Sequence, residues 1–165
     1  MPTPDAGFET RPLRIRVGDL TDSRILALLE THLEGARANS PACSVHALDL
    51  SGLQGPGMTF WAMWDDDAVV GMGALKVLDP THGEVKSMHT AKAVRGRGAA
   101  TQMLRHIIAE ARARGLTRLS LETGATEYFH PAHALYRRHG FVDCPPFGAY
   151  VADGFSLCMT RDLVA

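Results

Sequence analysis

The chain has 165 residues, 45% hydrophobic and 21% charged, and its 17 Lys and Arg against 18 Asp and Glu leave a formal charge of −1. That length suits one domain able to bury roughly two-thirds of its unfolded surface. Near-neutrality argues against a non-specific nucleic-acid binder, and no apolar run approaches the about 20 residues of a membrane-spanning helix.

Residues 1–11 are polar and Pro-containing and read as a loose N-terminal arm, leaving 12–165 as a single domain. The start lacks a basic-then-apolar leader, and the three cysteines, Cys43, Cys144 and Cys158, lack C-x-x-C spacing. Both features suit reduced thiols in a cytoplasmic protein. Leu13, Ile15 and Val17 alternate with polar or small residues as in a half-buried strand. Thr21 or Asp22 can cap the next helix, whose Ile25, Leu28, Leu29, His32 and Leu33 share one face and which Gly35 should close. Residues 36–57 read as a short helix between loops. Two strands, 59–64 and 68–77, flank a turn at Asp65–Asp67, and a third should run from Glu84 to Thr90.

Ala100, Met103, Leu104, Ile107, Ile108 and Ala111 then form one apolar stripe, ended by Gly115, which predicts a helix of about 17 residues. A short strand at 117–121 follows it, so the helix should cross over between two parallel strands. Pro131 opens another helix carrying Ala132, Leu135, Tyr136 and His139, stopped by Gly140. Strands near 141–142 and 156–160 complete a mixed α/β fold with one central sheet flanked by helices.

The chemistry concentrates where the third strand meets the long helix, at Arg95-Gly96-Arg97-Gly98-Ala99-Ala100. Glycines let backbone approach a bulky ligand, and the first amides of a helix lack intrahelical partners and sit at its positive end. A pyrophosphate suits that place, with Arg95, Arg97 and Lys92 adding charge at the mouth. A tight strand-to-helix turn with solvated arginines would use the same residues. The spacing excludes a dinucleotide fingerprint, whose third glycine would fall at Thr101, and a P-loop, which needs Gly-Lys-Ser/Thr.

Arg95, Gly98 and Ala100 before an amphipathic helix, then Ala132, Leu135, Tyr136, Gly140 and Phe141 after the next strand, resemble the GNAT superfamily of acetyl-CoA-dependent N-acetyltransferases. Further stretches, among them 46–48, 60–61, 84–88, 119–124 and 159–160, are similar to a subgroup of small bacterial acetyltransferases and extend the likeness nearly end to end. The resemblance implies a strongly twisted GNAT-like sheet opened to a V, with acetyl-CoA as co-substrate. It places main-chain groups of Met88, His89 and Thr90 on the pantetheine arm and Arg95, Gly96, Arg97, Gly98, Ala99 and Ala100 around the pyrophosphate. Tyr136 matches the tyrosine that protonates the departing thiolate. Where many members have an asparagine touching the cofactor arm, this chain has Phe129.

An alkyl amine is mostly protonated at neutral pH, so its acetylation needs a proton acceptor as well as a donor to the leaving sulfur. Glu84, at the start of the strand that should carry the acetyl group, is the first choice of base, with Glu122 at the end of the next strand as runner-up. His89 would serve as a relay only if its side chain faces the site. His32 lies on an apolar face and reads as a core histidine, and His46 divides evenly between a packed histidine and a substrate contact. No metal-binding spacing is present.

The expected activity is direct transfer of acetyl from acetyl-CoA to a primary amine of a small or amino-acid-like molecule, without nucleic acid, membrane or metal. Rival readings are a peptide acetyltransferase and a non-catalytic acetyl-CoA-sensing module. The resemblance and the apolar C-terminal strand together admit a homodimer.

Overall fold

The computed structural model describes residues 12–164, so the expected arm at 1–11 lies outside the described residues. Strand β1 (Arg14–Val17) leads into helix α1 (Ser23–Asn39), a 3-10 turn at Ala42–Ser44 and the single-turn helix α2 (Leu50–Leu53). Strands β2 (Met58–Asp65), β3 (Ala68–Val77) and β4 (His82–Thr90) form a meander, followed by a 3-10 turn at Lys92–Val94 and helix α3 (Ala99–Ala113). Strand β5 (Arg118–Gly124), a 3-10 turn at Glu127–Phe129, helix α4 (His130–Arg138), β6 (Val142–Cys144) and β7 (Ser156–Asp162) complete the order. The strands make one sheet in the order β1-β2-β3-β4-β5-β7-β6, in which only β4 and β5 run parallel. No helix among the described residues is long and apolar enough to cross a membrane.

Alternation along β2 divides the core. Trp61 and Met63 face α3 and α4, where Met103, Leu104, Ile107, Leu135 and Phe141 are buried, whereas Phe60 and Ala62 face α1 and α2. Gly73 on β3 brings α3 close to the sheet, since a Cβ there would stand 2.9 Å from both Met103 and Ile107. The apolar stripe of α3 is covered as its spacing predicts, and the helix is 15 residues long.

Helix α1 departs from expectation by running through Gly35 to Asn39. Glycine is used there for approach, because a Cβ would meet the Tyr128 hydroxyl at 2.6 Å. The helix stops instead at Ser40, which the ring of Pro41 pushes into an extended conformation at φ −144° and ψ 148°. At the other end, Asp22 is the cap and accepts the Arg24 amide. The acidic turn after β2 is not only solvated, for Asp65 pairs with Arg97 at 2.8 Å.

Candidate active site

The site follows from one interruption in the sheet. β4 pairs with β5 only over His82–Glu84 against Arg118–Ser120, while β5 pairs with β7 all the way to Gly124. The closed end is clasped by Ser120 Oγ, 2.7 Å from His82 Nε2 and 2.9 Å from Thr160 Oγ1. Beyond Glu84 the strands part, leaving main-chain groups of 85–90 without a β5 partner. A bulge on the β3 side deepens the split. Ser87 and Met88 stand opposite the single Gly73, and Ser87 takes φ +55°, a left-handed conformation rare outside glycine.

Past β4, Gly96 and Gly98 adopt φ +81° and +74°, and Gly98 caps α3. This left-handed pair turns the chain so that the free first-turn amides of α3 end beside the split. The second wall is α4, pinned where His133 Nε2 lies 2.8 Å from the Gly124 carbonyl. The ring of Phe129 packs against Gly124, where only a residue without a Cβ leaves room for it.

Two cavities open in the V. The larger, about 470 Å³, is lined by Met88, His89, Thr90, Arg95, Ala100 and Leu135 among others. The smaller, about 130 Å³, lies between β4, β5 and segment 44–48, with Lys86, Ser87, His46 and Glu122 on its walls. Tyr136, Met88, Phe129 and His32 line both, so the Tyr136 side chain forms part of the partition. Of the residues expected at the pyrophosphate, Arg95 and Ala100 reach the larger cavity, whereas Arg97 is drawn away to Asp65.

The two carboxylates have different surroundings. Glu84 is 4% exposed, accepts from Lys86 Nζ at 2.9 Å and from the Tyr150 hydroxyl at 2.6 Å, and is not among the residues lining the small cavity. Glu122 lines that cavity, and burial pushes its carboxyl above the usual carboxylate range against the pull of nearby His46 and Lys86. Burial, with the Glu122 charge beside it, likewise raises the Tyr136 phenol and keeps its proton on. Among the described residues no group of three or more His, Cys, Asp or Glu is arranged to hold a metal ion.

His32 is not simply a core side chain. Its Nδ1 lies 3.3 Å from Nδ1 of His89, whose ring faces the larger cavity. A further residue brought to the site by the fold is Tyr150. It sits in the loop between β6 and β7, folds back against His46 with ring centroids 5.0 Å apart, and accepts from Lys86 Nζ at 2.8 Å. Asp153 in the same loop accepts from Ser44 Oγ at 2.5 Å, tying this loop to segment 42–48, part of which walls the small cavity.

Comparison with known proteins agrees with this geometry. The family model described as the Acetyltransferase (GNAT) family matches residues 25–141. The chain is 46% identical over 151 residues to "Uncharacterized N-acetyltransferase YsnE" of Bacillus subtilis, covering 92% of this chain and 100% of the relative. It is 42% identical over 124 residues to the "IAA acetyltransferase" of Azospirillum brasilense, covering 74% and 80% respectively. The crystal structure of a GNAT family acetyltransferase from Elizabethkingia anophelis with acetyl-CoA bound shares the fold. Its TM-score is 0.67 at 15% identity over 91% of this chain and 97% of that one.

Proposed function

The chain belongs to the acetyltransferase (GNAT) family, and from that premise we propose that it transfers the acetyl group of acetyl-CoA directly to the primary amine of a small or amino-acid-like acceptor. The donor supplies an activated thioester, whose carbonyl carbon takes the amine while its sulfur leaves. The larger cavity fits such a donor. Its length of unpaired β4 backbone matches an amide-bearing arm, and the left-handed glycines leave amides open at the N-terminus of α3. Met88, His89 and Thr90 would hold the arm, and residues 95–100 the diphosphate, with Arg95 adding charge. In this reading Arg97 steadies the loop through Asp65 rather than meeting phosphate.

The observation that carries the proposal is Tyr136 in the wall shared by the two cavities. From there it offers its proton where thiolate charge develops, and its raised pKa keeps that donor present across the working pH range. Glu122, on the acceptor side, takes the proton the amine must shed, directly or through His46 or water. A carboxyl raised toward neutrality is better matched to that task than an ordinary one. Glu84 was the first choice from its strand position, but its carboxylate already accepts from Lys86 and Tyr150. We therefore assign it to anchoring those two side chains.

The small cavity, about 130 Å³, is walled on one side by segment 44–48, which Ser44 ties to Asp153, and this favours a compact acceptor over a peptide lying in an open groove. The test is thiol release from acetyl-CoA against a panel of small amines, amino acids, peptides and IAA, with mass spectrometry of the products. Acetylation of one class of small amine is expected. Acetylation confined to peptides would overturn the acceptor assignment, and CoA binding without turnover of any acceptor would favour a sensing module.

A further inference from the structure

Two half-buried imidazoles, His32 of α1 and His89 of β4, have no part in the transfer chemistry described so far. Their Nδ1 atoms are 3.3 Å apart and the rings meet edge to face with centroids 5.2 Å apart. Such a contact needs one N–H and one lone pair. It is therefore made by two neutral rings or by a pair sharing one extra proton, and two extra protons would set N–H against N–H. Across the larger cavity the groups facing the pair are Arg95 from the loop before α3, Tyr128 from the 3-10 turn at Glu127–Phe129 and Tyr136 from α4, with no carboxylate, and across the smaller one, which His32 also lines, they are His46, Lys86 of β4 and Glu122 of β5. Arg95 is thus the charge that opposes an added proton there. Burial and then Arg95 lower the pKa of His89, and burial and then His89 lower that of His32 to about 4.

We propose that His32 and His89 form a proton-binding site linked to the donor site, taking up one proton from solvent when a diphosphate-bearing donor seats beside Arg95. The proposal rests on the donor assignment above. An anionic diphosphate cancels the field of Arg95, which removes the main charge opposing protonation of His89. The incoming proton adds to the Nε2 lone pair of the ring whose Nδ1–H already donates, making that ring an imidazolium, so the hydrogen bond survives and becomes charge-assisted. No other bond forms or breaks. The pair then adds one positive charge to a cavity holding an anion, and it fixes β4, which carries the arm, against α1, which borders both cavities. His89 is in this sense a donor-site residue and His32 a positioning residue acting through it.

The sign follows from linkage. A pair that binds its proton more tightly in the complex makes donor affinity rise as pH falls, by at most about tenfold per pH unit for one proton. For coenzyme A, an affinity about three- to tenfold tighter at pH 6 than at pH 8 is expected, beyond the change shown by His89→Gln. Titration calorimetry with coenzyme A at pH 6.5, in buffers of different ionisation enthalpy, reads the protons directly. The ligand's own phosphate contributes equally to every variant. The wild-type protein should take up several tenths of a proton more than His89→Gln, with His32→Gln falling toward the latter. Equal uptake in all three would overturn the proposal. Should either variant fail to fold, histidine-ring NMR of the wild-type protein decides the matter. The His89 titration midpoint should rise on adding coenzyme A, and an unmoved midpoint would contradict the proposal. Absence of coenzyme A binding at all would overturn the donor assignment and this linkage together.

Discussion

At the scale of single residues, two carboxylates on neighbouring strands have different surroundings, and their substitutions should differ accordingly. Glu84 is a buried partner of Lys86 and Tyr150, and removing its charge leaves the Lys86 ammonium, 10% exposed, without its counter-ion. Glu84→Gln should cost about 3 kcal/mol of stability, measurable by denaturant unfolding. Glu122→Gln should cost less stability than Glu84→Gln, because burial already disfavours the charged carboxylate that the substitution removes. It should instead lower kcat about 100-fold and abolish the acid limb of the pH–rate profile. That limb belongs to a raised carboxyl, so wild-type activity should fall with decreasing pH above the range of an ordinary glutamate. Tyr136→Phe should lower kcat by roughly 100-fold while coenzyme A still binds, as equilibrium titration would show. Tyr136 stood out in the sequence through the family resemblance that its neighbours Ala132, Leu135, Gly140 and Phe141 carry. The Glu84–Lys86–Tyr150 cluster did not, because it joins a strand to a loop residue 66 positions away. The contact of His32 with His89 spans 57 positions and left no mark in either segment.

At the scale of elements, the loop into α3 depends on conformations that side chains resist. A Cβ on Gly98 would meet nothing within 4 Å, so replacing it acts through φ +74° alone. Gly115, at the far end of α3 with φ +78° and equally open surroundings, provides a matched control. Gly98→Ala and Gly115→Ala should each cost about 1–2 kcal/mol. Only the former should also weaken coenzyme A binding, by tenfold or more, in parallel thermal and binding titrations. The amphipathic helices and most strands were readable because their periods of 3.6 and 2 survive in the finished core. The end of α1 was misplaced because Gly35 looks the same whether it breaks a helix or makes room for Tyr128. Pro41, which stops α1 by constraining Ser40, was the better signal. The extent of β5 was also underestimated. Its last residues, 122–124, pair with β7, a partner that only the tertiary fold supplies.

For the whole molecule, function follows from a sheet that is continuous except where β4 leaves β5 after Glu84 and Ser120. The two sides of this V are joined at its closed end by the His82–Ser120–Thr160 clasp and share little sheet pairing beyond it. A donor held by β4 and the α3 amides on one side and by α4 on the other should tie them together. At a concentration 100 times its Kd, coenzyme A should add about 2.7 kcal/mol, raising Tm by roughly 5–10 °C in a thermal scan. The overall class and the strand–helix–strand crossover could be read from element order. The V could not, since it depends on where pairing stops and not on what either strand contains. In the proposed enzyme Tyr136 and the residues 95–100 act on one donor molecule. A crystal structure of the complex with acetyl-CoA tests it most directly. It should place the diphosphate on the amides of residues 96–100 and the thioester sulfur within hydrogen-bonding reach of the Tyr136 hydroxyl. A donor seated elsewhere, or a sulfur remote from Tyr136, would contradict it.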